Sequence, residues 1–71
     1  MKPTFFIIPG FKQKTNDEMF KWLINFLKNK NFNVICVPIK WDHKTMSNYV
    51  NQFEVFYKKY KSDKNYVLGF S

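Results

Sequence analysis

Thr4-Phe5-Phe6-Ile7-Ile8-Pro9-Gly10 is a run of β-branched and aromatic residues stopped by a proline and a glycine. A short apolar run with that punctuation reads as a strand. It is apolar at odd and even positions alike, the pattern of a parallel strand covered on both faces. The rest of the chain alternates around it. Phe11 to Lys14 reads as a loop, and Thr15-Asn16-Asp17-Glu18 matches an S/T-x-x-E capping box, with Thr15 as the expected cap. Met19, Phe20, Leu23, Phe26 and Leu27 then recur at helical spacing. That helix is expected to stop near Asn29-Lys30-Asn31, where asparagine tolerates a left-handed turn. Phe32 to Pro38 is a second strand, centred on Val34-Ile35-Cys36-Val37, and Ile39 to His43 is a connection.

A second helix is expected from Lys44 to Tyr60. Met46, Tyr49, Val50, Phe53, Phe56, Tyr57 and Tyr60 form one stripe at steps of three and four, which reads as core. Ser62-Asp63-Lys64 is a turn, and Asn65 to Phe70 is the third strand. The order β-α-β-α-β in a single domain of 71 residues argues a parallel sheet with helices on its faces, linked by right-handed crossovers. No internal repeat, low-complexity stretch or linker interrupts it.

Composition narrows the function classes. The net charge of +7 comes from 12 basic residues, all of them lysine, against 5 acidic ones. Such a charge could draw nucleic acid or an anionic membrane surface. Arginine, the residue suited to bidentate phosphate and guanine contacts, is absent, and the lysines are scattered without a basic run. A solvated lysine surface is the reading we carry forward, with no nucleic-acid or membrane partner. The two glycines are too few for a phosphate-cradling loop, and neither G-x-G-x-x-G nor a Walker sequence occurs. Cys36 is the single cysteine and sits in an apolar strand pattern, so it reads as a buried small hydrophobe. No apolar run is long enough to span a membrane, and a cytoplasmic location is expected. No cofactor and no metal site are expected.

The third strand, Tyr66-Val67-Leu68, runs into Gly69-Phe70-Ser71, the first three positions of G-x-S-x-G. Together with Phe5-Phe6-Ile7-Ile8-Pro9-Gly10-Phe11 and Val34-Ile35-Cys36-Val37-Pro38, it makes nearly the whole chain resemble the amino-terminal section of an α/β-hydrolase. That resemblance implies a partial α/β-hydrolase fold: a three-stranded parallel sheet in the order 2-1-3, with one helix on each face. It also implies a serine hydrolase acting on small ester-like substrates through an acyl-enzyme. Ser71 matches the nucleophile. Gly69 matches the first glycine of the elbow turn, where a side chain would clash. Phe11 matches the residue whose backbone N–H is one oxyanion donor, the glycine before it permitting the turn. Pro9 stands where the family commonly has histidine. Trp41 and His43 follow the second strand, at the end of the sheet where such folds bind ligands, and are candidates for lining a substrate pocket. Asp42 reads as the cap of the second helix.

The family's second oxyanion donor, acid and histidine all follow the nucleophile in sequence. His43 precedes Ser71 and is not assigned to the triad. A chain ending at Ser71 would carry an ionised carboxylate where the second donor belongs, and losing one such donor alone costs about 10²–10³ in rate. The isolated 71-residue chain is therefore expected to be inactive. It is also expected to self-associate through the bared edge of its third strand. The runner-up function is a small non-catalytic basic α/β module that binds nucleotide or nucleic acid.

Overall fold

The computed structural model describes residues 2–42 and 45–70. Five elements follow in chain order: β1 (Thr4–Ile8), α1 (Glu18–Asn29), β2 (Asn33–Cys36), α2 (Met46–Tyr60) and β3 (Asn65–Gly69). The strands form one sheet in the order β2-β1-β3. Both pairings are parallel, with Thr4 opposite Asn33 and Asn65, and Ile8 opposite Gly69.

Alternation along β1 decides which helix meets which face. Ile7 joins Phe20 and Leu27 of α1 in one core cluster, and Phe5, Leu23, Ile24, Phe32, Val34, Cys36 and Phe70 pack against it. Phe6 points the other way. Its ring lies 5.6 Å from Phe53 and 5.4 Å from Tyr57, both on α2. The central strand is thus apolar on both sides because each side carries a helix, and Phe6 and Ile7 have no exposed surface.

The end of α1 follows its sequence signals. Asn31 adopts φ 74°. The Phe32 N–H donates to Leu27 O at 3.2 Å and the Asn31 N–H to Lys28 O at 3.0 Å, the paired bonds of a Schellman motif. The chain thereby turns straight from α1 into β2.

Three expectations need correction. The capping box does not form: α1 begins at Glu18, and its N-cap is Asp17 with no side-chain cap bond. The Asp17 carboxylate instead accepts from the Lys14 N–H at 3.1 Å, closing the preceding turn. Asp42 does not cap α2. Thr45 does, its hydroxyl accepting from the Asn48 N–H at 3.2 Å. The stripe on α2 is core only in part: Tyr49, Phe53, Phe56 and Tyr57 are half-buried, no described residue of that helix is fully buried, and Met46, Val50 and Tyr60 are exposed. A sheet three strands wide offers less apolar surface than the stripe could cover. Phe53 and Tyr57 take the available contact with Phe6.

Candidate active site

The register Ile8↔Gly69 brings the turn after β1 beside the end of β3, at the carboxyl edge of the sheet. The Phe70 N–H continues the pairing by donating to Ile8 O at 2.9 Å, and the Phe70 ring packs edge-on against Phe20 at 5.2 Å. Parallel strands with coincident ends do this without any special device. Segments more than fifty residues apart in sequence become neighbours.

Gly10 to Gln13 form a β-turn, closed by the Gln13 N–H donating to Gly10 O at 3.1 Å. The Gln13 side chain reaches back and accepts from the Gly10 N–H. The turn needs one residue in the left-handed region, and that residue is Lys12 at φ 67°. Gly10 does not have positive φ, so the freedom expected of it is exercised two residues later. Phe11 sits at the turn's outer corner, its ring 56 % exposed and beneath the Lys12 ammonium. Its N–H has no hydrogen-bond partner among the described residues. The candidate oxyanion donor is therefore accessible.

Trp41 closes the other side. Its indole N–H donates to Pro9 O at 3.0 Å, and its ring lies 4.6 Å from Tyr49. Gln52 holds the connection that carries it. The Gln52 amide accepts from the Lys40 N–H at 2.8 Å and donates to Lys40 O at 3.3 Å and to Asn48 Oδ1 at 2.7 Å. Nothing in the sequence singled out Gln13 or Gln52. Amide side chains that clamp a backbone segment leave no periodic signal.

Trp41, Ile8, Ile39, Tyr49, Phe53 and Val67 line an apolar pocket of about 270 Å³ on the α2 face. A larger groove of about 420 Å³ opens at the opposite, amino end of the sheet, among Lys2, Lys28, Asn33 and Tyr60. We take the smaller one as the candidate site. It lies where strand ends converge, as ligand sites of open α/β sheets do.

Gly69 is the last residue of β3, without positive φ, and a Cβ built on it meets no atom within 4 Å. The described residues thus supply no steric reason for glycine there. Ser71 and His43 lie outside the described residues.

Cys36 is half-buried against the α1 cluster and not fully enclosed as expected. Burial pushes its thiol pKa up from the ordinary value. Two outcomes follow. At mildly alkaline pH the folded chain should react with a disulfide reagent several-fold more slowly than the urea-unfolded chain, because thiolate is the attacking form. Above the ordinary thiol pKa the unfolded chain ionises while the folded chain keeps its proton. The unfolded state then binds fewer protons, so this group lowers stability as pH rises. Cys36→Val should remove that component, as read by urea titrations on either side of the ordinary thiol pKa. Equal thiol reactivity in folded and unfolded chain would contradict the burial.

No helix among the described residues is long and apolar enough to cross a membrane. Among those residues no group of three or more His, Cys, Asp or Glu could hold a metal ion. No protein family, curated protein or solved structure matches the chain.

Proposed function

We propose that this chain is the amino-terminal part of a serine hydrolase of the α/β-hydrolase type, with Ser71 as nucleophile. The observation that carries the reading is the β1–β3 register. It sets the Gly10–Gln13 turn, with its unpartnered Phe11 N–H, next to the strand that leads through Gly69-Phe70 to Ser71. In acyl transfer the serine hydroxyl attacks an ester carbonyl, the tetrahedral oxyanion takes hydrogen bonds from main-chain N–H groups, and the alcohol leaves. Water then attacks the acyl-enzyme and releases the acid. Phe11 would supply one oxyanion donor, and the pocket beside Trp41 would receive an apolar part of the ester. The single cysteine suits a reducing compartment, and the reading assigns the enzyme to the cytoplasm.

The test is to read the coding frame past the Ser71 codon, express the open frame found there and treat the product with a fluorophosphonate probe. The expected result is an x-Gly next, an Asp and a His farther on, and labelling that Ser71→Ala reduces at least about 10³-fold. A stop codon at once, or labelling indifferent to Ser71→Ala, would overturn the proposal.

A further inference from the structure

One side of this molecule is unfinished in all three layers. In the middle layer β3 is an edge strand, paired with β1 alone. Its Tyr66, Val67 and Leu68 are all exposed. On the α1 side, Lys28 lines the groove along β2, so the opposite flank of that helix faces β3. That flank carries Met19 and Phe26, both exposed. On the α2 side, Val50 shares the apolar pocket with Val67 and is also exposed. The chain exposes 5325 Å² in total. A folded monomer of its mass exposes about 4700 Å², so roughly 600 Å² is in excess. That excess is spread over the whole chain, exposed Trp22, Met46 and Val55 included, and is somewhat below the ~800 Å² each partner buries in a standard interface.

The backbone of the edge states what fits it. The Thr4 N–H donates to Lys64 O and the Phe70 N–H to Ile8 O, so even-numbered residues of β3 face β1. Polar groups alternate sides along a strand. The N–H and C=O groups of Asn65, Val67 and Gly69 therefore point outward. That set maps onto itself under a two-fold axis through Val67. Val67 meets Val67 and Asn65 meets Gly69, and each such narrow pair exchanges two hydrogen bonds. Tyr66 falls beside Leu68 of the other copy on the α1 face. No charged residue and no proline interrupt Asn65–Gly69. The β2 edge differs. It has 4 residues, Pro38 follows it closely, and Lys2 and Lys28 line its groove. Lysine and proline at an edge block pairing.

We infer that two copies of this chain join through their β3 edges, antiparallel about a two-fold axis at Val67, into one continuous sheet of six strands. The occupant of the edge is a second copy because the outward hydrogen-bonding set and the apolar side chains are both self-complementary. The guarded β2 edge stops growth at the dimer. The inference is drawn for the 71-residue chain, whereas the hydrolase reading would fill the same edge with chain that follows Ser71; sedimentation of this chain and serine labelling of the extended one test the two separately.

Sedimentation velocity from micromolar to millimolar protein tests it. The wild-type chain is expected to dimerise, and more tightly as salt rises, because +7 on each copy repels at long range while the strand contact carries no charge. Val67→Lys sets two ammonium groups face to face at the axis and should raise the dimer Kd about 100-fold, the equivalent of about 3 kcal/mol. Gly69→Pro removes an outward N–H without touching the β1 ladder, and no atom within 4 Å opposes a side chain there. It should also weaken the dimer while the circular dichroism spectrum stays folded, and it decides the matter if Val67→Lys does not fold. A chain monomeric at every concentration, a dimer indifferent to both variants, a dimer loosened by salt, or open-ended assembly would each overturn the pairing.

Discussion

Phe6→Ala is expected to leave the chain unfolded at 25 °C, with no cooperative urea transition in far-UV circular dichroism. Phe6 has no exposed surface, and its ring is the contact through which Phe53 and Tyr57 of α2 dock on the sheet. Those two rings also stack on each other at 5.7 Å, so the three form one unit. Truncating a fully buried phenylalanine costs about 3–5 kcal/mol, from lost transfer free energy and the cavity left behind. A single core in a domain this small rarely supplies more than that. The helix has no fully buried described residue of its own to fall back on. Phe5→Ala is the control. Phe5 is half-buried, between Phe32 at 5.6 Å and Tyr66 at 6.0 Å, and the α1 face keeps Ile7, Phe20 and Leu27. That variant should fold with a lowered midpoint. A Phe6→Ala chain that unfolds cooperatively at the wild-type urea midpoint would show that α2 is held by something other than this cluster.

The same ring explains how far the sequence could be read. Thr4–Ile8 was legible as a doubly covered strand because both of its faces are apolar, and each face meets a helix. The order of elements follows from changes of period, which are local. Which cap residue closes a helix is not local. Thr15 and Asp17 both offer an acceptor, as do Asp42 and Thr45. The choice falls to the residue that the loop length leaves at the first turn, Asp17 and Thr45. The stripe on α2 was legible as amphipathic, but its burial depended on sheet width, which periodicity does not report. Phe11 and Gly69 could be set at one end of the sheet because carboxyl ends of parallel strands coincide. The bond from Trp41 to Pro9 could not, since it joins two loops across a sheet edge.

Trp41→Ala is expected to lower stability by about 3 kcal/mol, toward the low end for loss of a large aromatic ring, because Trp41 is only half-buried. The side chain acts twice. Its ring lies against Tyr49 and walls the apolar pocket, and its N–H satisfies the Pro9 carbonyl just before the Gly10–Gln13 turn. Trp41→Phe separates the two roles. It keeps a ring over Tyr49 but leaves the carbonyl without its donor, so it should cost about 1 kcal/mol, the net value of one hydrogen bond. Urea midpoints of the three chains read this order directly. An independent reading comes from the indole N–H signals by NMR. Trp22 is 65 % exposed and should exchange its indole proton with solvent quickly, whereas that of Trp41 should be protected by the bond to Pro9. In a hydrolase extended beyond Ser71, Trp41→Ala should also move preference toward longer acyl chains, because the wall it removes bounds the pocket. Equal exchange at both indoles, with Trp41→Phe as stable as wild type, would mean that Trp41 does not anchor the turn. The pocket would then lose its fixed wall, and the turn that carries Phe11 the bond that ties Pro9 in front of it.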